Sequence, residues 1–276
     1  MKKTVFALAA ALSAAAGFGN DLAEIKAKVE KDHAVKAVDK FHGFDRVVFD
    51  FAGHDAWVVC PSGESRAGMP WTWTMQWASA YVPRTNVLQM LADGSHHVTI
   101  DTFRHRMDGE GLKVSAAFQR YLVEKLGFAP KAYLIGMSWG GFFSVRYAAT
   151  YPDNVAKIYL DCPLLTFHGF APKQAPTELA KRIGTWAENA PADGNWMDDP
   201  RMPLNIFPPI VRAKIPVLLL YGGQDTTLNP DLNSRLFAAR FRKAGGDLTV
   251  TCRPMYGHHP HGIETNETTI KDFFEK

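Results

Sequence analysis

Ala132-Tyr133-Leu134-Ile135-Gly136-Met137-Ser138-Trp139-Gly140-Gly141 decides the reading of this 276-residue chain. The first four residues are a short apolar run that reads as a buried strand. From Gly140 to Tyr151 there is no breaker until Pro152, and Phe142, Phe143, Val145 and Tyr147 fit a helix. Between strand and helix stands Gly-x-Ser-x-Gly, which puts Ser138 on a sharp turn. Such a turn strains the serine backbone and leaves no room for side chains on its flanks, hence the glycines. The helix N-terminus behind it favours negative charge developing on a reacting oxygen. Ser138 is therefore the candidate nucleophile. The bland alternative is a tight glycine turn carrying a surface serine.

A nucleophilic serine needs a base, and the base needs an orienting carboxylate. Both follow in the chain, each at the end of an expected strand. Leu218-Leu219-Leu220-Tyr221 runs into Gly222-Gly223-Gln224-Asp225. Pro254-Met255-Tyr256 runs into Gly257-His258-His259-Pro260-His261-Gly262. Asp225 is preferred as the acid because its glycine turn projects a side chain toward the histidine loop. Asp161, at the end of Ile158-Tyr159-Leu160, is the alternative orienting acid, or else a carboxylate capping backbone amides. His258 is preferred as the base, with His259 and His261 as supporting partners. Three clustered histidines also raise metal binding, but no acid or cysteine spacing supports a zinc site, so no metal and no cofactor are expected.

The rest of the chain alternates strands and helices, which implies βαβ units and a mostly parallel sheet. Strands are expected at Arg46 to Phe51, Ala56 to Cys60, His97 to Asp101, Val155 to Leu160, Pro216 to Tyr221 and Leu248 to Arg253. Helices are expected at Asp21 to Lys40, Leu112 to Leu126, Leu232 to Ala244 and Thr268 to Phe274. The interval from Thr166 to Lys214 breaks the rhythm with prolines and with Phe167, Phe170, Trp186, Trp196 and Phe207. A long insertion of this kind reads as a lid.

Met1 to Gly19 reads as an export signal, with Lys2 and Lys3 ahead of the apolar run Val5 to Ala16. Residues 20–276 are then one domain, in the periplasm or secreted, with no stable membrane insertion once the signal is removed. The two signal lysines account for most of the net charge of +3, so there is no argument for a nucleic-acid partner. Cys60, Cys162 and Cys252 lack metal-ligand spacing and read as buried free thiols.

An oxyanion hole needs two N–H donors. Trp139, next after the nucleophile, supplies one. Ser62, in the loop after the Ala56 to Cys60 strand, is the expected second. Trp71 and Trp139, with Trp73 behind them, are expected to wall the substrate pocket, the alternative being ordinary core burial.

Taken together, Gly68-Met69-Pro70-Trp71-Thr72-Trp73, the Gly136 to Gly141 elbow, Ile158-Tyr159-Leu160-Asp161-Cys162-Pro163 and Gly257-His258-His259-Pro260-His261-Gly262 resemble exported bacterial α/β-hydrolases of the carbohydrate or xylan acetyl esterase type. The resemblance runs from about residue 45 to the C-terminus. It implies an α/β-hydrolase fold: a mostly parallel sheet of about eight strands, helices on both faces, and a lid at about 166–214. It also implies Ser138, Asp225 and His258 as a triad acting on a small-molecule or carbohydrate ester. The chain departs from those relatives at Trp139 and Thr74, where they often carry arginine. A serine peptidase of the same fold and a non-catalytic binding protein are the rival expectations.

Overall fold

The computed structural model describes residues 21–170 and 176–276; the expected export segment lies outside the described residues. Among the described residues nine strands form one sheet, one more than expected. They are β1 (Val35–Phe41), β2 (Phe44–Phe51), β3 (His54–Val59), β4 (Trp71–Gln76), β5 (His96–Ile100), β6 (Ala132–Met137), β7 (Val155–Asp161), β8 (Val217–Gly222) and β9 (Leu248–Arg253). Their order across the sheet is β1-β2-β3-β5-β4-β6-β7-β8-β9. β1 to β3 and β5 pair antiparallel, whereas β5, β4, β6, β7, β8 and β9 pair parallel.

The helices are α1 (Asp21–Asp32), α2 (Val87–Ala92), α3 (Gly109–Tyr121), α4 (Trp139–Thr150), α5 (Pro176–Ile183), α6 (Pro203–Ile206), α7 (Pro208–Arg212), α8 (Ser234–Lys243) and α9 (Thr269–Glu275). Both sheet faces are covered, and the period-2 alternation of the strands shows it. Leu134 of β6 and Val217 and Leu219 of β8 join one apolar cluster with Phe118 of α3, Phe142 of α4 and Phe237 of α8. Ile135, Leu218 and Leu220 turn the other way, toward Met90 of α2 and Ile270 and Phe274 of α9. Burial on two faces explains the continuous apolar runs.

Two strands depart from the expectation. The helix expected over Asp21 to Lys40 stops at Asp32, and β1 follows as an edge strand. Its Ala37, Lys36 and Lys40 fit a helix as readily as a strand. What selects the strand is the free edge of β2, with Lys36 and Lys40 set in solvent along that edge. The second is β4, which is absent from the strands expected from sequence. It is threaded between β5 and β6 near the middle of the sheet, with Thr72 and Thr74 as buried as its tryptophans.

The insertion between β7 and β8 holds α5, a short 3₁₀ turn over Gly184–Asn189, α6 and α7. Its aromatics are spent on packing. Phe167 stacks on Phe142 of α4 at 4.9 Å and meets Trp196 at 5.1 Å, and Arg146 lies over Trp186 at 4.5 Å. Cys60 and Cys162 are buried free thiols, as expected, but Cys252 on β9 is exposed because the last strand has no outer neighbour. Among the described residues no helix is long and apolar enough to cross a membrane.

Candidate active site

β6 delivers Ser138 at its C-terminal end, and α4 begins at the next residue. The serine backbone has φ 53° and ψ −115°, a strained left-handed conformation for a residue with a side chain. Three glycines make the turn possible. A Cβ at Gly136 would strike the Gly140 carbonyl, one at Gly140 would overlap the Gln76 carbonyl, and one at Gly141 would overlap the Pro163 ring. The elbow is therefore wedged between β4 and the segment leaving β7. Ser138 N–H donates to the Asp161 carbonyl at 3.0 Å, which ties the turn to β7.

β8 ends at Gly222, against which the Gly257 carbonyl packs so closely that a Cβ has no place. That contact brings the histidine loop beside the turn carrying Asp225. His258 Nδ1 donates to Asp225 Oδ2 at 2.7 Å, and Ser138 Oγ donates to His258 Nε2 at 3.0 Å. Asp225 Oδ1 accepts from the amides of Thr227 at 2.9 Å and Leu228 at 2.8 Å. Burial pushes the Asp225 carboxyl upward, but the His258 hydrogen bond and those two amides outweigh it, and the group stays below the ordinary carboxylate range. The three residues proposed from sequence thus meet in one hydrogen-bonded relay.

Asp161, the alternative acid, serves a different histidine. It is fully buried and accepts from His261 Nδ1 at 3.0 Å, from the Gly262 amide at 2.5 Å and from Tyr159 Oη at 2.5 Å. Arg253 reaches it at 3.5 Å and also donates to the Gly262 carbonyl at 2.6 Å. Burial again works to raise this carboxyl, and His261, Arg253 and Tyr159 together hold it low. Arg84 completes the lacing of the loop by donating from Nε to the His261 carbonyl at 2.9 Å. Neither arginine carries a local motif: Arg84 lies 177 residues from His261, and Arg253, although it ends β9 just before the loop, looks in sequence like any charged residue at a strand end.

Two site expectations need correction. Ser62 does not reach the elbow. β3 runs antiparallel to β5, with Val59 opposite His97, so the loop after β3 lies at the N-terminal end of the parallel strands. There Arg66 N–H donates to the Gly94 carbonyl and Ser65 approaches His96, on the opposite edge from Ser138. The main chain that does adjoin the elbow is that of Gln76 and Trp77, since β4 pairs with β6 up to Gly136 and Gly140 rests on Gln76. Trp71 is likewise no pocket wall. It is fully buried in β4, stacked on Trp73 at 5.9 Å, with its indole N–H donating to the Ala129 carbonyl. Trp139 does stand next to the nucleophile, packed against Phe103, Phe167 and Phe170 at 5.6 to 5.7 Å.

A family model described as alpha/beta hydrolase fold matches residues 35–189. The chain belongs to the α/β-hydrolase family. Similar solved structures include S-formylglutathione hydrolase from Agrobacterium tumefaciens, at 18% identity and a TM-score of 0.56, covering 87% of this chain and 97% of that one. Pyrococcus horikoshii acylaminoacyl peptidase matches at 13% identity and a TM-score of 0.56, over 88% of this chain and 48% of that one. Porphyromonas gingivalis dipeptidyl peptidase 4 matches at 12% identity and a TM-score of 0.60, over 88% and 35%. This hydrolase-fold chain spans about half, or less, of the length of the peptidases it resembles. No curated protein sequence matches it.

Proposed function

We propose that the protein is a serine carboxylesterase that removes short acyl groups, acetyl above all, from carbohydrate esters outside the cytoplasm. The observation that carries the reading is the Ser138–His258–Asp225 relay at 3.0 and 2.7 Å. Ser138 Oγ attacks the ester carbonyl while His258 Nε2 takes its proton; Asp225 holds the imidazole in the tautomer that permits this. The amides of Trp139 and Trp77 stabilise the oxyanion, the first being an unpaired helix N-terminal donor. His258 then gives its proton to the departing alcohol. A water attacks the acyl-serine as His258 takes up its proton, and the acid leaves with Ser138 restored.

The carbohydrate assignment draws support from a cleft of about 470 Å³ at the C-terminal ends of β4 and β5, one strand from the elbow. Trp77, Ser79, Thr99, Asp55 and Asp101 line it. An exposed indole beside carboxylates and hydroxyls suits a sugar ring, which stacks on an apolar face and hydrogen-bonds at its rim. Packing of Trp139 among aromatics leaves little room for a long acyl chain. Export rests on the Lys2-Lys3 apolar leader and is checked by sequencing the N-terminus of the mature protein.

A fluorophosphonate probe should label Ser138 in the wild type and nothing in Ser138→Ala. Hydrolysis of p-nitrophenyl esters from acetate to decanoate should peak at acetate in kcat/KM, and acetylated xylan should release acetate. A maximum at eight or more carbons would sink the acetyl reading. The second reading is a serine peptidase, motivated by the two peptidases of similar fold. Turnover of aminoacyl anilides above that of aryl esters would establish it.

A further inference from the structure

We infer that His258, His259 and His261 form a binding site for a divalent transition metal, Zn²⁺ by preference, whose occupation switches the serine off. Ligand nitrogens of the three residues lie within 4.8 Å of one another. The rings stand nearly edge to face, with centres 4.8 Å, 5.0 Å and 4.8 Å apart and interplanar angles of 71° to 88°. Three imidazoles converging on one ion with Zn–N bonds of about 2.0–2.1 Å place their ring centres roughly 5 Å apart.

The tautomers favour the same conclusion. His258 Nδ1 is committed to Asp225, and His261 Nδ1 to Asp161. Each carboxylate accepts a hydrogen bond from Nδ1–H, which puts the ring's lone pair on Nε2, bare in His261 and shared with the Ser138 hydroxyl in His258. A carboxylate behind the ring is also the usual support of a metal-bound histidine, because it fixes the ring and raises the basicity of the other nitrogen. His261 Nε2 is buried and has no hydrogen-bond partner among the described residues, an orphan that the triad chemistry does not use. His259 is exposed on the solvent side of the group, with its ring against Tyr81, so it is free to close on an ion from outside. The acid and cysteine ligands missing from the sequence spacing are not needed when three neutral nitrogens supply the site.

A metal on His258 Nε2 occupies the lone pair that accepts the Ser138 proton. Binding and hydrolysis are then mutually exclusive. The inhibitory half of the inference rests on the triad reading; the binding half does not. Calorimetric titration of ZnCl₂ into the metal-free full chain should show one tight equivalent, weakened roughly tenfold or more in His259→Ala and His261→Gln. Ester hydrolysis, normalised to each variant's own metal-free rate, should fall with the same concentration dependence and return with EDTA. Because His259 is on the surface, its variant keeps the test open if His261→Gln folds poorly. Wild-type affinity in His259→Ala, or no binding up to millimolar Zn²⁺, overturns the site. Tight binding without loss of hydrolysis in an active wild type removes His258 from it.

Discussion

Ser138 and Asp161 are bonded through the main chain, the serine amide donating to the aspartate carbonyl, while the Asp161 side chain holds His261 and Gly262. One residue at the end of β7 thus anchors both the elbow and the histidine loop, and its carboxylate makes no bond to a side chain of the relay. Asp225 does the reverse, taking His258 directly. Removing either charge should therefore damage different properties. Asp161→Asn leaves His261 and Arg253 facing a neutral amide in a buried network, a loss of roughly 3–5 kcal/mol, read as a drop of several degrees in Tm. Asp225→Asn should keep the amide contacts to Thr227 and Leu228, lower Tm by less than Asp161→Asn does, and lose on the order of 10⁴ in kcat. Melting curves and turnover on p-nitrophenyl acetate decide it; the opposite pattern would exchange the two acids.

Acid should unfold the wild type through the same two carboxylates. Both are held below their ordinary range in the folded state. A depressed folded value means that the stabilisation is fully present above the unfolded pKa of about 3.9 and is lost as pH falls through the folded value. Tm should therefore be nearly flat from pH 7 to 5 as far as these groups are concerned, and fall steeply below about pH 4. In Asp161→Asn the fall should be shallower. An equal acid slope in the variant would show that other groups control acid unfolding.

Gly140→Ala should fail to give soluble, folded protein, or should melt far below wild type, because its Cβ has no space beside the Gln76 carbonyl. Backbone on both sides prevents relief by a side-chain rotation. Gly63→Ala is the control: no atom lies within 4 Å of the added carbon, so its Tm should match wild type to within about 1–2 °C. A well-folded, active Gly140→Ala would mean that the elbow and β4 are less tightly wedged than described.

Trp77→Ala should separate binding from chemistry. The substitution keeps the main-chain amide beside the elbow and removes the exposed indole from the cleft. KM for acetylated xylo-oligosaccharides should rise roughly tenfold while kcat on p-nitrophenyl acetate changes little. Equal losses on both substrates would assign Trp77 to the architecture of the site and leave the cleft without a role in sugar binding.

What could be read in the sequence follows from where the information lies. β6, the elbow and α4 are contiguous, and their glycines announce the turn. Asp225 and His258 each follow a strand through a glycine, so their positions were open to reading even though 33 residues separate them. β4 was not. Its alternating tryptophans and threonines look like the wall of a pocket, and nothing local says that the chain crosses back to insert them between β5 and β6. Ser62 and Trp71 depart from expectation for that one reason: the backbone beside the elbow belongs to the end of β4 rather than to the loop after β3, and the tryptophans of β4 sit in a central strand rather than on a binding surface. β1 was hidden because alanine and lysine say nothing about which edge is vacant. The Asp161–His261 pair was half visible, as an acid at a strand end and a spare histidine, but its pairing depends on contacts made across 100 residues.

The insertion above the elbow has its large aromatics already turned inward, with Phe167, Trp186 and Trp196 buried against α4 and one another. Among the described residues, a roof built this way offers no greasy underside to spread on an oil droplet. Its rate should follow dissolved substrate smoothly and show no jump when an ester emulsifies or forms micelles, which sets this molecule apart in behaviour from enzymes that wake at an interface.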